Sequence, residues 1–160
     1  MDRTSVDWTG PMPAVTTPFQ ADGDIDEQSF QSNIERLFGS GATGVLVGGC
    51  TGEFWALTHD ERKRLTHLAK EAVGSAGTLL VGTGAITVDE TVALTREAEE
   101  AGCDGALILP PYFVRLTDDE VFAHYTAVSD AVGIPIVLYN IPGNAGNALS
   151  PSLAGRLAEL

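Results

Sequence analysis

Gly44-Val-Leu-Val-Gly-Gly-Cys-Thr-Gly-Glu53 is the stretch that decides the fold, because it joins an apolar strand to a glycine-rich turn. Val45, Leu46 and Val47 form an unbroken apolar run, which is typical of a parallel strand buried on both faces. The turn therefore lies at the carboxyl end of a strand. Its glycines allow the backbone to bend sharply and to bring N–H groups close to a small anion. A plain strand-to-helix connection, with glycines only for tightness, is the alternative interpretation.

The same strand–loop–helix unit recurs along the chain. Three helices are predicted to begin with a capping box, at Thr58-His-Asp-Glu61, Thr87-Val-Asp-Glu90 and Thr117-Asp-Asp-Glu120. In each box the threonine oxygen and the glutamate carboxylate accept hydrogen bonds from amides that the first helical turn leaves unpaired. A spacing of 29 and then 30 residues between the boxes indicates one repeated supersecondary unit.

Two further helices complete the series. Asp24 or Asp26 is predicted to cap the first helix, and Ser150-Pro151 to start the last one. Strands are predicted before the five helices, at 12–17, 45–47, 78–82, 105–109 and 135–139. Strict alternation of strand and helix predicts a parallel sheet with right-handed crossovers.

Two α/β architectures fit such a sheet. A doubly wound sheet normally carries G-x-G-x-x-G after its first strand, and Thr16-Thr-Pro-Phe19 does not resemble that motif. An eight-stranded barrel places functional residues after several strands, and polar or glycine-rich turns here follow strands one, two, three and five. The sequence therefore favours the (β/α)8 TIM-barrel fold, present as an incomplete barrel of about five βα units.

Composition narrows the function. With 22 acidic against 9 basic residues, the formal charge of −13 repels a phosphate backbone, so no nucleic-acid partner is expected. We interpret the basic cluster Arg62-Lys63-Arg64, which follows two acidic residues, as a solvated helix face. Cys50 and Cys103 are too few for a disulfide framework or a zinc site. No apolar run reaches membrane-spanning length and residues 1–8 contain no signal core, so we expect a cytoplasmic protein without metal or membrane contact.

Four motifs occur along the chain in a fixed order. They are Gly49-Cys-Thr-Gly-Glu53, Leu57-Thr-x-x-Glu-Arg62, Pro111-Tyr-Phe113, and Tyr139-Asn-Ile-Pro-Gly143 with Gly146. The set resembles the dihydrodipicolinate synthase and N-acetylneuraminate lyase family over nearly the whole chain. Members are class I aldolases, (β/α)8 barrels in which a lysine condenses with the keto group of pyruvate or a related 2-keto acid. The resemblance implies a small 2-keto acid substrate, no separate cofactor and a homo-oligomer.

The resemblance also implies roles for particular residues. The turn of Cys50, Thr51 and Gly52 would grip the pyruvate carboxylate, and Tyr139 would handle protons during Schiff-base formation and carbon–carbon bond making or breaking. A protonated imine is an electron sink, and a phenol beside it can relay a proton. Outside the family, Tyr139 would be interpreted as a strand-end aromatic whose hydroxyl reaches water. The rim of the site would contain Thr17, Phe113 and Asn144.

Three positions depart from the pattern of the family's synthases. Cys50 replaces a hydroxyl residue, and a thiol is a weaker hydrogen-bond donor and acceptor. Phe113 replaces a tyrosine contributed across a dimer interface, and its ring passes no proton. Asn144 replaces an arginine that binds the carboxylate of aspartate semialdehyde, and an amide forms no bidentate ion pair. The sequence therefore favours a relative acting on a sugar-acid-like or other 2-keto acid over true dihydrodipicolinate synthesis.

The Schiff-base lysine of the family lies on the sixth strand, whereas this sequence ends at Leu160 in the fifth helix. Lys63 and Lys70, its only lysines, fall on the second helix, which belongs to the outer ring of a barrel. We therefore expect residues 1–160 to be the N-terminal portion of a single (β/α)8 domain, truncated before the sixth strand and inactive alone. Because five strands cannot close a barrel, association through the open sheet edges is expected. The alternatives are a half-barrel interaction module completed by another chain and a non-catalytic binder of 2-keto acids.

Overall fold

Parallel strands and helices alternate through the computed structural model, which describes residues 3–160. The helices are α1 (Glu27–Gly39), α2 (His59–Val73), α3 (Val88–Glu100), α4 (Asp118–Ala131), α5 (Pro142–Ala145) and α6 (Pro151–Leu157). The strands are β1 (Gly44–Val47), β2 (Thr78–Gly82), β3 (Gly105–Ile108) and β4 (Ile136–Leu138). Short 3-10 turns cover Arg3–Ser5, Cys50–Gly52 and Phe54–Ala56.

The four strands form one sheet in sequence order, and every neighbouring pair is parallel. Right-handed crossovers between strands in this order put the helices on one face of the sheet. The helices accordingly pack in the same succession, α1 on α2, α2 on α3, α3 on α4 and α4 on α6. This architecture is an incomplete (β/α) barrel, as the sequence predicted.

The predicted first strand, 12–17, is wrong in its extent. Ala14 alone forms an isolated parallel bridge, with Leu46 of β1. Two backbone bonds support it: Val15 N–H donates to the Leu46 carbonyl at 2.8 Å, and Leu46 N–H donates to the Pro13 carbonyl at 3.0 Å. Prolines at 11, 13 and 18 lack an N–H group, so this segment cannot extend a regular ladder. Within residues 3–160 the sheet therefore has four strands and a bridged N-terminal segment.

Helix starts follow the predicted caps. Thr58 and Thr117 form complete capping boxes, whereas at Thr87 the hydroxyl accepts the Glu90 amide at 3.3 Å. Asp26 is the residue that caps α1, accepting from the Ser29 amide at 3.0 Å. Ser150 caps α6 with proline in its first turn, as predicted. The one-turn helix α5 was not predicted, because a four-residue helix leaves no periodic pattern in the sequence.

The apolar core lies between the sheet and the helices. Ile34, Val45, Leu79, Ala106 and Val128 are all fully buried there. Burying a large aliphatic side chain of this kind stabilises the fold by roughly 1.5–3 kcal/mol. The residues of β4, in contrast, are only half-buried, and a groove of about 530 Å³ runs between β4 and α6. The open edge of the incomplete barrel is therefore at β4.

Candidate active site

The glycine-rich turn after β1 is a single 3-10 turn over Cys50–Gly52. Gly52 N–H donates to the Gly49 carbonyl at 3.0 Å, and Glu53 N–H donates to the Cys50 carbonyl at 3.1 Å. Gly52 is the first residue whose amide donates a hydrogen bond within the turn. The amides of Cys50 and Thr51 come before it, so the turn itself gives them no acceptor. Two adjacent N–H donors at the carboxyl end of a strand can hold a small anion.

Buried contacts fix the position of this turn. The buried Thr17 hydroxyl donates to the Gly52 carbonyl at 2.7 Å, which ties the turn to the N-terminal segment. A Cβ added at Gly52 would lie 3.0 Å from the Val15 carbonyl oxygen, and one added at Gly82 would overlap the Gly48 carbonyl. Gly82 is required because the backbone of Gly48 approaches it too closely for any side chain. At Gly52 a side chain would force the Val15 carbonyl to shift.

Tyr139 follows β4, so it lies at the same carboxyl end of the parallel sheet as the turn that follows β1. Its N–H donates to the Ile108 carbonyl at 2.9 Å, and its hydroxyl donates to Cys50 Sγ at 3.8 Å. The structure thus brings together Cys50 and Tyr139, which are 89 positions apart in the sequence. Burial raises the pKa of Tyr139, and the hydrogen bond to Cys50 acts in the same direction. The phenol is therefore protonated at neutral pH and available as a donor.

The remaining predicted site residues do not line the small cavity between Cys50 and Tyr139. Thr51 exposes its side chain to solvent, and Asn144 is exposed on α5. Phe113 is 92% exposed and has a φ of 73°, in the left-handed region that phenylalanine rarely adopts. Thr51 belongs to the turn after β1, Phe113 lies in the loop after β3, and Asn144 lies on α5 after β4, so all three follow the carboxyl ends of strands.

Arg62 is a site residue that the sequence interpretation missed. Lys63 and Arg64 are exposed, as predicted for the basic cluster, but Arg62 is only 8% exposed and lines the cavity beside Cys50 and Tyr139. The prediction of a solvated face is therefore wrong for Arg62. Successive helical residues point about 100° apart, so this side chain faces inward with Leu65 while its neighbours face outward.

Asn147 was also missed, although it organises the rim. Its side-chain amide donates to the Pro111 carbonyl at 2.6 Å and the Val114 carbonyl at 2.8 Å, and its oxygen accepts the Leu116 amide at 2.9 Å. Asn147 is buried, so these bonds satisfy the whole amide. They join the loop after β3 to the segment after β4. A single asparagine in a loop gives no sequence signal for such long-range contacts.

Both lysines lie on α2, outside the cavity. Lys63 is exposed and pairs with Glu97 at 2.8 Å, and the hydrogen bond that Lys63 donates to that carboxylate raises the pKa of Lys63. Within residues 3–160 no cluster of histidine, cysteine or acidic side chains is arranged to hold a metal ion. Over the same residues, no helix has the length and apolarity needed to cross a membrane.

The fold and the glycine turn define a class of protein: an incomplete (β/α) barrel with candidate binding residues at the carboxyl ends of its strands. The model of the dihydrodipicolinate synthetase family matches residues 7–160. The chain therefore belongs to that family, as the four sequence motifs predicted.

Individual relatives agree with the family match. The 4-hydroxy-tetrahydrodipicolinate synthase of Agrobacterium fabrum is 38% identical over 150 residues, covering 94% of this chain and 51% of that protein. The enzyme of the same name from Methanoculleus marisnigri is 42% identical over 152 residues, which covers 94% of this chain and 52% of that enzyme. The chain thus spans about half the length of the curated relatives that it matches.

Solved structures show the same half-length match. YagE, a prophage protein of the dihydrodipicolinic acid synthase family from E. coli K12 in complex with pyruvate, superimposes with a TM-score of 0.92 at 34% identity, covering 95% of this chain and 51% of YagE. The chloride-inhibited dihydrodipicolinate synthase from Acinetobacter baumannii, complexed with pyruvate, superimposes with a TM-score of 0.92 at 33% identity. The match covers 94% of this chain and 52% of that enzyme.

Proposed function

We propose that this chain binds the carboxylate of pyruvate or a related 2-keto acid at the Cys50–Gly52 turn, as part of a Schiff-base-forming lyase or aldolase. The observation that supports this most directly is the contact of the Tyr139 hydroxyl with Cys50 Sγ, which puts a protonated phenol beside the anion-binding turn. The family match and the pyruvate complexes of two structural neighbours support the substrate class.

In this proposal the turn binds and orients, and Tyr139 moves protons. The amides of Cys50 and Thr51 donate to the carboxylate, so the keto carbon is held at a fixed distance from the turn. Tyr139 donates a proton to the oxygen that leaves the substrate during imine formation. Cys50 accepts the Tyr139 hydrogen bond through sulfur, which is a weaker acceptor than oxygen and makes this relay slower than one through an alcohol.

The amine for imine formation is not one of the lysines of this chain. Lys63 is held protonated by Glu97, and neither Lys63 nor Lys70 lines the cavity. We propose that residues 1–160 provide the amino-terminal part of a single (β/α)8 domain, and that alone they bind 2-keto acid without turning it over. Supporting this, the curated relatives are about twice as long.

The substrate is proposed to be a sugar-acid-like or other 2-keto acid, although the curated relatives are named synthases. Asn144 provides no positive charge for a second carboxylate, and Phe113 provides no phenol. Both are exposed on the rim, where a longer substrate would meet them. Aspartate semialdehyde is therefore disfavoured as the second substrate.

Calorimetric titration with pyruvate, followed by borohydride treatment and mass spectrometry, tests the proposal. We expect binding and no covalent addition to Lys63 or Lys70, because borohydride traps only an imine. Gly52→Ala pushes a Cβ against the Val15 carbonyl and should weaken pyruvate binding by about tenfold or more. Gly155→Ala in α6, where a Cβ meets nothing, is the matched control.

Three results would contradict the proposal. Absence of pyruvate binding to the wild-type chain would refute the function of the turn. Equal binding by the Gly52 and Gly155 variants would place the ligand elsewhere. Stoichiometric mass addition at Lys63 or Lys70 would refute the assignment of the amine to another residue.

A second candidate function is a half-barrel interaction module, which the groove beside β4 favours. β4 is half-buried, and Leu138, Leu157 and Leu160 line this groove. An unpaired parallel strand edge next to apolar side chains fits a further strand and helix of barrel type. We propose that βα units equivalent to the second half of the relatives occupy it, or that a second copy of this chain does.

The proposed location of the protein is the cytoplasm, because a reducing compartment suits the free Cys50 and Cys103.

A further inference from the structure

Arg62 is a buried cation that no carboxylate contacts within residues 3–160, although the Glu90 carboxylate acts on it from a distance. One terminal nitrogen of its guanidinium donates to the carbonyls of Gly82 at 3.0 Å and Gly84 at 3.1 Å. Its Nε has no hydrogen-bond partner, and Arg62 forms no ion pair within residues 3–160. Carbonyl oxygens satisfy donors without cancelling the charge, so the positive charge persists inside the protein.

The guanidinium borders the candidate site directly. The cavity of about 10 Å³ that touches Cys50 and Tyr139 is also lined by Arg62. The guanidinium carbon lies 5.2 Å from the centre of the Phe54 ring, which fixes the side chain against the loop after β1. A charge in such a poorly solvated wall acts on neighbouring charges far more strongly than one in water.

The charge remains in place at neutral pH. Burial lowers the pKa of Arg62, and the nearby Tyr112 and Glu90 oppose that shift. Because the usual pKa of arginine lies far above neutral, the guanidinium stays protonated even though burial lowers that pKa.

The rest of the molecule has the opposite sign. A formal charge of −13 repels a small carboxylate as it approaches the protein. A local cation at the binding turn offsets this repulsion only if it is close to the turn and is not already paired. Arg64 and Arg156, which face solvent, pair with Glu27 and Asp119. Arg62 forms no ion pair in the described part of the chain.

We propose that Arg62 is a specificity-determining residue that selects small anionic carboxylates for the Cys50–Gly52 turn through its charge. It acts across the cavity and not by contact, so it is not a catalytic residue. The inference rests on the proposed function, because its ligand is the 2-keto acid carboxylate bound at the turn. A neutral ketone or ester of the same size gains nothing from this charge.

Pyruvate affinity of four proteins at low ionic strength tests the inference. Arg62→Gln removes the charge but keeps an amide donor for the two carbonyls, and should weaken pyruvate binding about tenfold, equivalent to about 1.4 kcal/mol. Arg62→Lys keeps the charge and should stay within about threefold of the wild type. Arg96→Gln makes the same charge change on an exposed arginine of α3 and should stay within about twofold.

A second, neutral ligand shows whether Arg62 affects binding through its charge or through the shape of the site. Methyl pyruvate, which is neutral, should bind the wild type and Arg62→Gln equally within about twofold. Circular dichroism of each variant shows whether the fold is intact. If Arg62→Gln does not fold, Arg62→Lys decides: affinity near the wild type supports the inference, and a loss of about tenfold overturns it.

Other outcomes are equally decisive. Wild-type binding with an unaffected Arg62→Gln overturns the inference and leaves the proposed function intact. Equal losses in folded Arg62→Gln and Arg62→Lys also overturn it, because geometry and not charge would then be responsible. A wild-type chain that binds no pyruvate refutes the proposed function and this inference together.

Discussion

The central strand β2 and the edge strand β4 have similar apolar sequences but different surroundings. Four of the five residues of β2 are buried, because β1 and β3 flank it and helices cover it. All three residues of β4 are half-buried, because among the described strands β3 is its only neighbour in the sheet. The number of neighbours, and not the residue type, therefore sets how much each side chain contributes to stability.

The largest test of this contrast uses the same substitution in both strands. Leu79→Ala in β2 removes a fully buried side chain and should lower the free energy of unfolding by about 2–5 kcal/mol. Leu138→Ala in β4 removes a half-buried one and should cost less than about 1.5 kcal/mol. Urea denaturation measures both values. Equal losses would show that something covers the β4 edge.

The edge itself is tested by a charge. Wild-type protein is expected to associate as concentration rises, because unpaired strand edges pair with other chains. Val137→Lys puts a cation on β4 and should shift the protein toward the monomer, whereas Ala123→Lys adds the same charge to an exposed site on α4 and should not. Sedimentation velocity measures the distribution. A wild type that stays monomeric at every concentration would contradict the expectation.

The smallest effect concerns the helical layer over the central strands. Lys63 holds the pKa of Glu97 below its usual value, against the opposing effect of burial, and His67 adds to the lowering. A carboxyl whose pKa is lower in the folded state stabilises the fold above its unfolded pKa of 4.5, and this contribution is lost as pH falls through the folded pKa.

Glu97→Gln should therefore lower the melting temperature by a few degrees at most at pH 6. The difference from the wild type should disappear as the pH falls below about 4.5 toward 3. Glu100→Gln, an exposed neighbour on α3, should show no such pH dependence. Thermal unfolding followed by circular dichroism compares the three proteins. A difference in melting temperature between Glu97→Gln and the wild type that grows on acidification would contradict this prediction.

Much of the fold could be predicted because its signals are local. The capping threonines at 58, 87 and 117 each act on an amide three residues away, so sequence spacing is enough to place the helix starts. The first strand was predicted too long, because prolines at 11, 13 and 18 cannot donate to a ladder and leave only the bridge between Ala14 and Leu46.

The candidate site divides in the same way. The turn at Cys50–Gly52 was predicted from its glycines, and Tyr139 from the motif that resembles the family. Arg62 and Asn147 could not be found, because their partners are main-chain groups of segments 20 to 36 positions away. Almost every residue has the same main-chain groups, so the sequence does not indicate which of them a side chain will contact.

By itself, the sequence determined the repeated βα unit, the helix starts and the glycine turn, because periodicity, capping and backbone freedom act over a few residues. The tertiary structure alone decided that Arg62 is buried while Arg64 reaches solvent, that Cys50 meets Tyr139, and that β4 is left open. These outcomes depend on which distant segments pack together. Packing settles them because burial of a charge, or of a strand edge, is a property of the neighbours and not of the residue.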